Sequence, residues 1–179
     1  MPTYPYKEMG PRVDPSAFVA PGARVVGDVE IGAGSSVWFN AVVRGDSAHV
    51  QVGRRTNIQD GAVLHTDSGL PCEVGDDCTV GHLAIVHGAR VGNGCLIGMG
   101  AIVLSGVVIG DESLVAAGAL VPQGKEFGPR SLLVGSPVRH LRTLSDEEVE
   151  KLIRPGVRTY VQNATDYGQA LKDEGDAGR

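Results

Sequence analysis

The chain has 179 residues, a formal net charge of −5 and three cysteines. This length fits one ordinary domain, and an acidic balance without a basic run excludes electrostatic binding of nucleic acid. The chain lacks an apolar stretch of ~20 residues and starts without a signal-peptide core, so we expect neither a membrane protein nor a secreted one. An odd number of cysteines without a C-x-x-C pair favours free thiols and a cytoplasmic protein.

Aliphatic residues recur at every sixth position in two long runs, and glycine often follows them, as in Ile31-Gly32. This period matches neither a helix, at about 3.6 residues, nor a strand, at about 2. It predicts a chain that turns a corner every six residues and stacks three-sided rungs as a parallel β-helix. The two runs are Val13, Val19, Val25, Ile31, Val37 and Val43, and Val91, Ile97, Val103, Ile109, Val115 and Val121.

Residues 1–142 are predicted to form this β-helix, beginning with an N-terminal arm over 1–12. A coil of about six rungs is expected from Val13 to Val121. Residues 122–142 are rich in Pro and Gly and are expected to lead the chain off the coil. An aromatic content of only 4% agrees with a narrow interior that has no space for large rings.

The period is interrupted twice within the coil, and a helical segment is predicted at the C-terminus. The step from Val43 to Val52 is longer than six, and residues 66–73 are predicted to form a loop that bulges from the coil. Residues 143–174 are predicted to be helical and to pack on the coil, with a disordered tail over 175–179. Ser145 and Glu148 form a capping box, and Pro155-Gly156 is expected to break the helix. The predicted fold is an all-β solenoid with a C-terminal α-helix.

Three of the five histidines, His65, His82 and His87, lie close together where the period slips. His65 and His82 are about one rung apart, so we expect them to stack on neighbouring coils. His82 and His87 are five residues apart, which is up to ~16 Å of extended chain. All three can therefore meet at one ion only if a neighbouring chain supplies a ligand. His49 and His140 have no evident partners and are assigned structural roles.

Several segments together resemble the γ-class carbonic anhydrases and their homologues over residues 10–170. The resemblance implies a left-handed parallel β-helix of hexapeptide repeats that assembles as a homotrimer, with metal sites shared between subunits. It also implies that His65 and His87 come from one subunit and His82 from the next. The matching segments are RGDS at 44–47, TNIQDGAVLH at 56–65, TVGHLAIVHG at 79–88, LIGMGAIVL at 96–104, LVAAGALV at 114–121 and VGSPVR at 134–139.

The resemblance further implies a lyase that hydrates CO2 reversibly to bicarbonate by a metal-bound hydroxide. Three neutral imidazoles and a water make an open tetrahedral zinc site, which suits hydration chemistry. Iron or cobalt can use the same ligands, because imidazole discriminates weakly among these metals. The partners expected are therefore the small-molecule substrate and further copies of the chain.

Other polar residues match functional positions of that family. Gln59 matches the glutamine that orients the hydroxide, although a corner side chain bonded to the backbone is the alternative. Arg44 and Asp46 are expected to form an ion pair across the subunit interface, with Arg44 also placed to attract bicarbonate. The complete set of matching residues outside the histidines is Arg44, Asp46, Asn57, Gln59, Asp60, Tyr160 and Asn163.

The match fails where the active members of the family carry glutamates that move protons. Ser47 follows Arg44-Gly45-Asp46, and the loop after His65 has only Asp67 and Glu73 as acids. Loss of a shuttle group slows proton removal, so we expect slow hydration. Two alternatives remain open: a hexapeptide acyltransferase that uses acyl-CoA and one histidine as a base, and a catalytically silent metal-binding or scaffold protein.

Overall fold

The computed structural model describes residues 3–177 and shows a three-sided β-solenoid followed by two helices. Most strands have only two or three residues, because the chain turns a corner after each. In chain order the elements are β1 (Thr3–Tyr4), β2 (Arg12–Val13), β3 (Phe18–Val19), β4 (Arg24–Ile31), β5 (Ser36–Val37), β6 (Val42–Val52), β7 (Asn57–Ile58), β8 (Val63–His65), β9 (Cys72–Val74), β10 (Thr79–Val80), β11 (Ile85–His87), β12 (Arg90–Val91), β13 (Leu96–Ile97), β14 (Ile102–Val103), β15 (Val108–Ile109), β16 (Leu114–Val115), β17 (Leu120–Val121), β18 (Glu126–Phe127), β19 (Ser131–Gly135), β20 (Val138–Thr143), α1 (Asp146–Leu152) and α2 (Arg154–Ala177).

Each face of the solenoid is a stack of parallel strands from successive turns. The first face contains β1, β4, β6, β8, β11, β14 and β17, and the second contains β2, β4, β6, β9, β12, β15 and β18. The long strands β4 and β6 bend around a corner and so belong to both faces. The third face runs from β3 through β5, β7, β10, β13, β16 and β19 to β20. Seven turns result, consistent with the predicted left-handed hexapeptide β-helix.

The period of six is confirmed as the packing rule of the interior. From Val25 onward, every member of the two aliphatic runs is at most 4% exposed. Val13 and Val19 are partly buried against the same core at the open N-terminal end. Such a column of interlocked β-branched side chains provides the main favourable term in folding.

The coil ends later than the sequence suggested. It continues past Val121, because β18 pairs in parallel with β15 and β19 pairs in parallel with β16. Phe127 and Leu133 take the next two inward positions of the same period, and Leu133 is completely buried. The last strand, β20, turns back as the antiparallel partner of β19. The predicted loop is shorter than expected, since Cys72 and Glu73 already belong to β9.

The two helices cover the outer side of the third face. Ser145 caps α1 in the predicted capping box with Glu148, and α1 packs against outward leucines of the face. The helix breaks at Ile153, before the predicted break at Pro155-Gly156. Proline fits the first turn of α2 because no amide donor is needed there. α2 extends to Ala177, beyond the predicted limit of 174, and residues 178–179 of the predicted tail lie outside the described range. Among residues 3–177, neither helix offers an apolar stretch of the length that a bilayer requires.

The three cysteines are free and buried inside the solenoid, as the sequence predicted for its thiols. Burial raises the pKa of Cys72 to about 12 and that of Cys78 well above its ordinary value. Because all three thiols are completely buried, Cys72, Cys78 and Cys95 should resist Ellman's reagent in the native protein and react only after denaturation. Fast colour development from one thiol equivalent before denaturation would contradict this prediction and identify a locally open turn.

Candidate metal centre

Three residues of the predicted site lie in one stack on the first face. Arg44 of β6, His65 of β8 and His87 of β11 are register partners on successive turns. The residues that precede them in the strands point inward, so these three side chains point outward on the same side. The expectation that His65 stacks on His82 is wrong. The loop after His65 lengthens its turn, so the residue one turn later is His87.

The two stacked histidines converge through one ring nitrogen each. His65 Nδ1 and His87 Nε2 are 3.1 Å apart. The other nitrogens have their own partners: His65 Nε2 lies 2.9 Å from Asp46 Oδ1, and His87 Nδ1 lies 2.9 Å from Ser105 Oγ. Two nitrogen ligands of a tetrahedral zinc ion are separated by about 3.3 Å, given the usual bond length and angle. The imidazole pair therefore fits two positions of such an ion with little rearrangement.

Asp46 links the arginine of the stack to the histidines. Its carboxylate contacts Arg44 Nη1 as well as His65. Burial alone raises the pKa of Asp46, but the hydrogen bond with His65 and the charge of Arg44 outweigh it, so the pKa lies below its ordinary value. The Arg44–Asp46 ion pair forms within one chain, and a further contact of this pair across a subunit interface stays a prediction. Residues two apart on a strand share a face, so these two meet locally.

His82 occupies a second cluster, at the corner between β10 and β11. Its Nδ1 lies 2.9 Å from Asp60 Oδ2, and its Nε2 lies 3.3 Å from the hydroxyl of Tyr160. The His82 side chain is 40% exposed, which leaves the ring accessible from outside the chain. The neighbouring Leu83 is 70% exposed. With Asp60 holding Nδ1, His82 can act as a metal ligand or as a base through Nε2 once the hydroxyl of Tyr160 moves away from it.

Gln59 is tied to the protein on both sides of its amide. Its Nε2 donates to Asn57 Oδ1 at 3.0 Å, and its Oε1 accepts the backbone N–H of His82 at 3.2 Å. Asn57 in turn donates to Thr79 Oγ1 at 2.9 Å. The alternative that the sequence left open, a corner side chain bonded to the backbone, is thus realised. These bonds fix the corner that carries His82.

The helix α2 delivers Tyr160 to the His82 cluster. The Tyr160 ring packs edge-on against Trp38, with ring centroids 5.1 Å apart. Burial, followed by the nearby charge of Asp60, raises the pKa of Tyr160, so its hydroxyl stays protonated at neutral pH. Asn163 is half-buried three residues further along the same helix. Of these two predicted residues, Tyr160 is the one that the structure brings within hydrogen-bonding distance of a histidine.

A single chain therefore holds the predicted ligands in two separate places. Within residues 3–177, no group of three His, Cys, Asp or Glu side chains is close enough to hold a metal ion. His65 and His87 form one pair, whereas His82 stands apart with Asp60 and Tyr160. This separation agrees with the distance argument from the sequence, which required a ligand from a neighbouring chain.

Sequence reasoning missed two residues of these clusters. Ser105, which contacts His87, lies 18 residues after it, or one turn of the solenoid. Counting turns from each histidine would have found it. Trp38 was missed because the narrow interior of the coil leaves no space for a large ring, and the hexapeptide period does not indicate where such a ring packs outside the coil. The structure places this ring under α2 instead, against Tyr160 and Tyr167.

Comparison with known proteins agrees with the fold and identifies the family. Residues 88–123 match the family described as bacterial transferase hexapeptide (six repeats). A carbonic anhydrase of Geobacillus kaustophilus is 43% identical over 96% of this chain and 93% of its own length. The γ carbonic anhydrase 2 of Arabidopsis thaliana mitochondria is 45% identical over 79% of the chain. The chain belongs to the γ-class carbonic anhydrase family.

The proteins similar to this chain do not all carry the same kind of name. The chain spans 53% of the length of the Arabidopsis protein. A solved structure from Anaplasma phagocytophilum, described as a hexapeptide transferase family protein, superposes with a TM-score of 0.87 at 38% identity and covers 92% of this chain and 97% of its own. The γ-class fold is therefore shared by proteins named for two different activities.

Proposed function

We propose that the protein is a γ-type carbonic anhydrase that hydrates CO2 reversibly to bicarbonate. In this proposal His65 and His87 of one subunit and His82 of its neighbour in a homotrimer bind a zinc ion. The proposal is supported mainly by the 3.1 Å approach of His65 Nδ1 and His87 Nε2, whose remaining nitrogens are already engaged. Family membership and relatives named carbonic anhydrase, a lyase, support the activity.

The donor set suits a late divalent metal. Three neutral imidazoles bind zinc, and iron or cobalt use the same ligands. A zinc ion held in this way acts as a Lewis acid that lowers the pKa of water toward neutrality. The chain contributes orientation: Asp46 fixes the ring of His65, and Asp60 fixes the ring of His82. Carboxylate partners of this kind hold the tautomer and direction of a ligating histidine.

The residues around the pair suit a small anionic product. Arg44 is 41% exposed beside the histidines, so its guanidinium can attract bicarbonate while Asp46 holds it in place. Tyr160 closes the His82 side with a protonated hydroxyl. Ser47, in the position where active relatives are expected to carry a glutamate, is exposed and cannot relay protons as a carboxylate does. We therefore expect hydration to be slow.

The acyltransferase alternative rests on the resemblance to a hexapeptide transferase structure. A transferase needs one histidine as a general base, and half-exposed His82 with Asp60 behind it could serve. That reaction gives no role to the convergent pair of His65 and His87. A silent metal-binding scaffold would keep all three histidines and lose only turnover.

Metal analysis and stopped-flow CO2 hydration on untagged protein test the proposal. We expect about one zinc or iron per chain, with a single site per subunit interface. His82→Ala should lose both metal and hydration, because it removes one of three ligands. His140→Ala removes an exposed histidine on β20 and should change neither. A wild-type rate no higher than that of His82→Ala would reject catalysis. Acetyl-CoA binding without metal would favour the transferase.

A further inference from the structure

We propose that Ser105 and Asp67 are positioning residues that determine which ring nitrogen of His87 is available for a metal. The inference rests on the metal centre proposed above. Neither residue is predicted from the sequence to bind the metal, and Ser105 lies outside the segments that resemble the family. Three hydrogen bonds in series connect these residues to His87, and the capacity of each group to donate or accept sets their direction.

The three hydrogen bonds lead from the exposed loop to the histidine pair. The backbone N–H of Ser68 donates to Asp67 Oδ1 at 2.8 Å, which holds the carboxylate in place. Ser105 Oγ donates to Asp67 Oδ2 at 3.4 Å and lies 2.9 Å from His87 Nδ1. His87 Nε2, on the other edge of the ring, faces His65 Nδ1. The contacts therefore run in the order Asp67, Ser105, His87 and His65.

The direction of each bond follows from the carboxylate. An ionised carboxylate only accepts hydrogen bonds, and a hydroxyl has a single proton to give. The hydroxyl proton of Ser105 is therefore donated to Asp67, and the Ser105 oxygen must accept a hydrogen bond from His87. This requires the proton of a neutral His87 to sit on Nδ1, which leaves a lone pair on Nε2. A metal ligand needs that lone pair, and Nε2 is the nitrogen that faces His65.

Tight packing holds these groups in their positions. Ser105 is 7% exposed, and Gly88 lies between it and the loop. Gly88 has a φ of +52°, and a Cβ there would lie 3.3 Å from both Ser105 Oγ and Leu70 Cβ. The loop itself closes on two backbone bonds between Asp67 and Leu70, at 3.2 and 2.9 Å. Glycine at 88 therefore permits the close approach of the loop to Ser105.

The arrangement treats the two paired histidines differently. His65 contacts a carboxylate directly through Asp46, whereas His87 reaches one through a hydroxyl. The engaged nitrogen is Nε2 in His65 and Nδ1 in His87, so the free nitrogens are of opposite kind. Only this combination points Nδ1 of one ring at Nε2 of the other across 3.1 Å.

Zinc competition with a chromophoric chelator tests the inference in Ser105→Ala, Asp67→Ala and the double variant. Outer partners of ligating histidines are worth about tenfold or more in metal affinity, and we expect a loss of that size for Ser105→Ala. Asp67→Ala should weaken zinc binding less, and should add nothing in the Ser105→Ala background. Additive losses would overturn the relay. Ser113→Ala removes another buried serine, away from the histidines, and should leave zinc affinity unchanged.

A second readout needs no metal. Long-range ¹H–¹⁵N spectra of the histidine rings report the tautomer directly, and wild-type His87 should carry its proton on Nδ1. Asp67→Ala, in an exposed loop where folding is not at risk, should give a mixture of tautomers. An unchanged tautomer together with unchanged zinc affinity would overturn the inference. A wild-type protein that binds no zinc but shows the expected tautomers would instead overturn the metal centre alone.

Discussion

An equal mixture of His82→Ala and His87→Ala chains, assembled together, should regain about a quarter of the wild-type sites, although neither variant is active alone. In the proposed trimer, a complete site takes His65 and His87 from one subunit and His82 from the next. It forms wherever a His82→Ala chain is followed around the trimer by a His87→Ala chain. Random assembly produces that order at about one interface in four. Zinc content and CO2 hydration of the mixed oligomer measure the recovery.

The matched control for this experiment pairs two variants from the same cluster. His65 and His87 face each other within one chain, so a mixture of His65→Ala and His87→Ala chains cannot assemble any complete site. This mixture should show no recovery, even though its subunits exchange equally well. Equal recovery in both mixtures would contradict the placement of His65 and His87 in one subunit, and recovery in neither would contradict the sharing of ligands between subunits.

The period of six determined most of the fold, because each inward position carries the same packing demand. The end of the coil was predicted too early for a physical reason. Phe127 and Leu133 continue the period but stand among prolines and glycines, which elsewhere mark an exit. The last turn has an open end, so it tolerates an aromatic ring at a position where inner turns require a branched aliphatic residue.

The candidate site was less predictable because turn length is not constant. His65 and His87 are 22 residues apart and still stack, since the loop after His65 extends its turn. Counting regular rungs therefore paired the wrong histidines. The local pair of Arg44 and Asp46 followed from strand alternation and could have been predicted. Side-chain relays such as Ser105 with Asp67 depend on where a loop folds back, which neither period nor composition specifies.

Gly45→Ala should lower the free energy of unfolding by about 3 kcal/mol and disturb the histidine pair as well. Gly45 lies between Arg44 and Asp46, where the irregular segments of β4 and β6 come together. A Cβ at Gly45 would collide with the backbone carbonyl of Asp28 and lie 3.1 Å from the carbonyl oxygen of Ala48. Thermal unfolding at matched protein concentration and zinc affinity measure the two effects.

Gly128→Ala is the matched control for this substitution. A Cβ at Gly128 meets nothing within 4 Å, and the residue lacks a positive φ, so we expect a change within about 0.5 kcal/mol. The collision at Gly45 involves main-chain atoms of a paired strand, so no rotamer change relieves it. Relief requires β4 and β6 to separate, which moves Arg44 and Asp46 away from His65. Equal unfolding midpoints for the two variants would mean that these strands already lie further apart in solution, and the geometry around His65 would then lose its support.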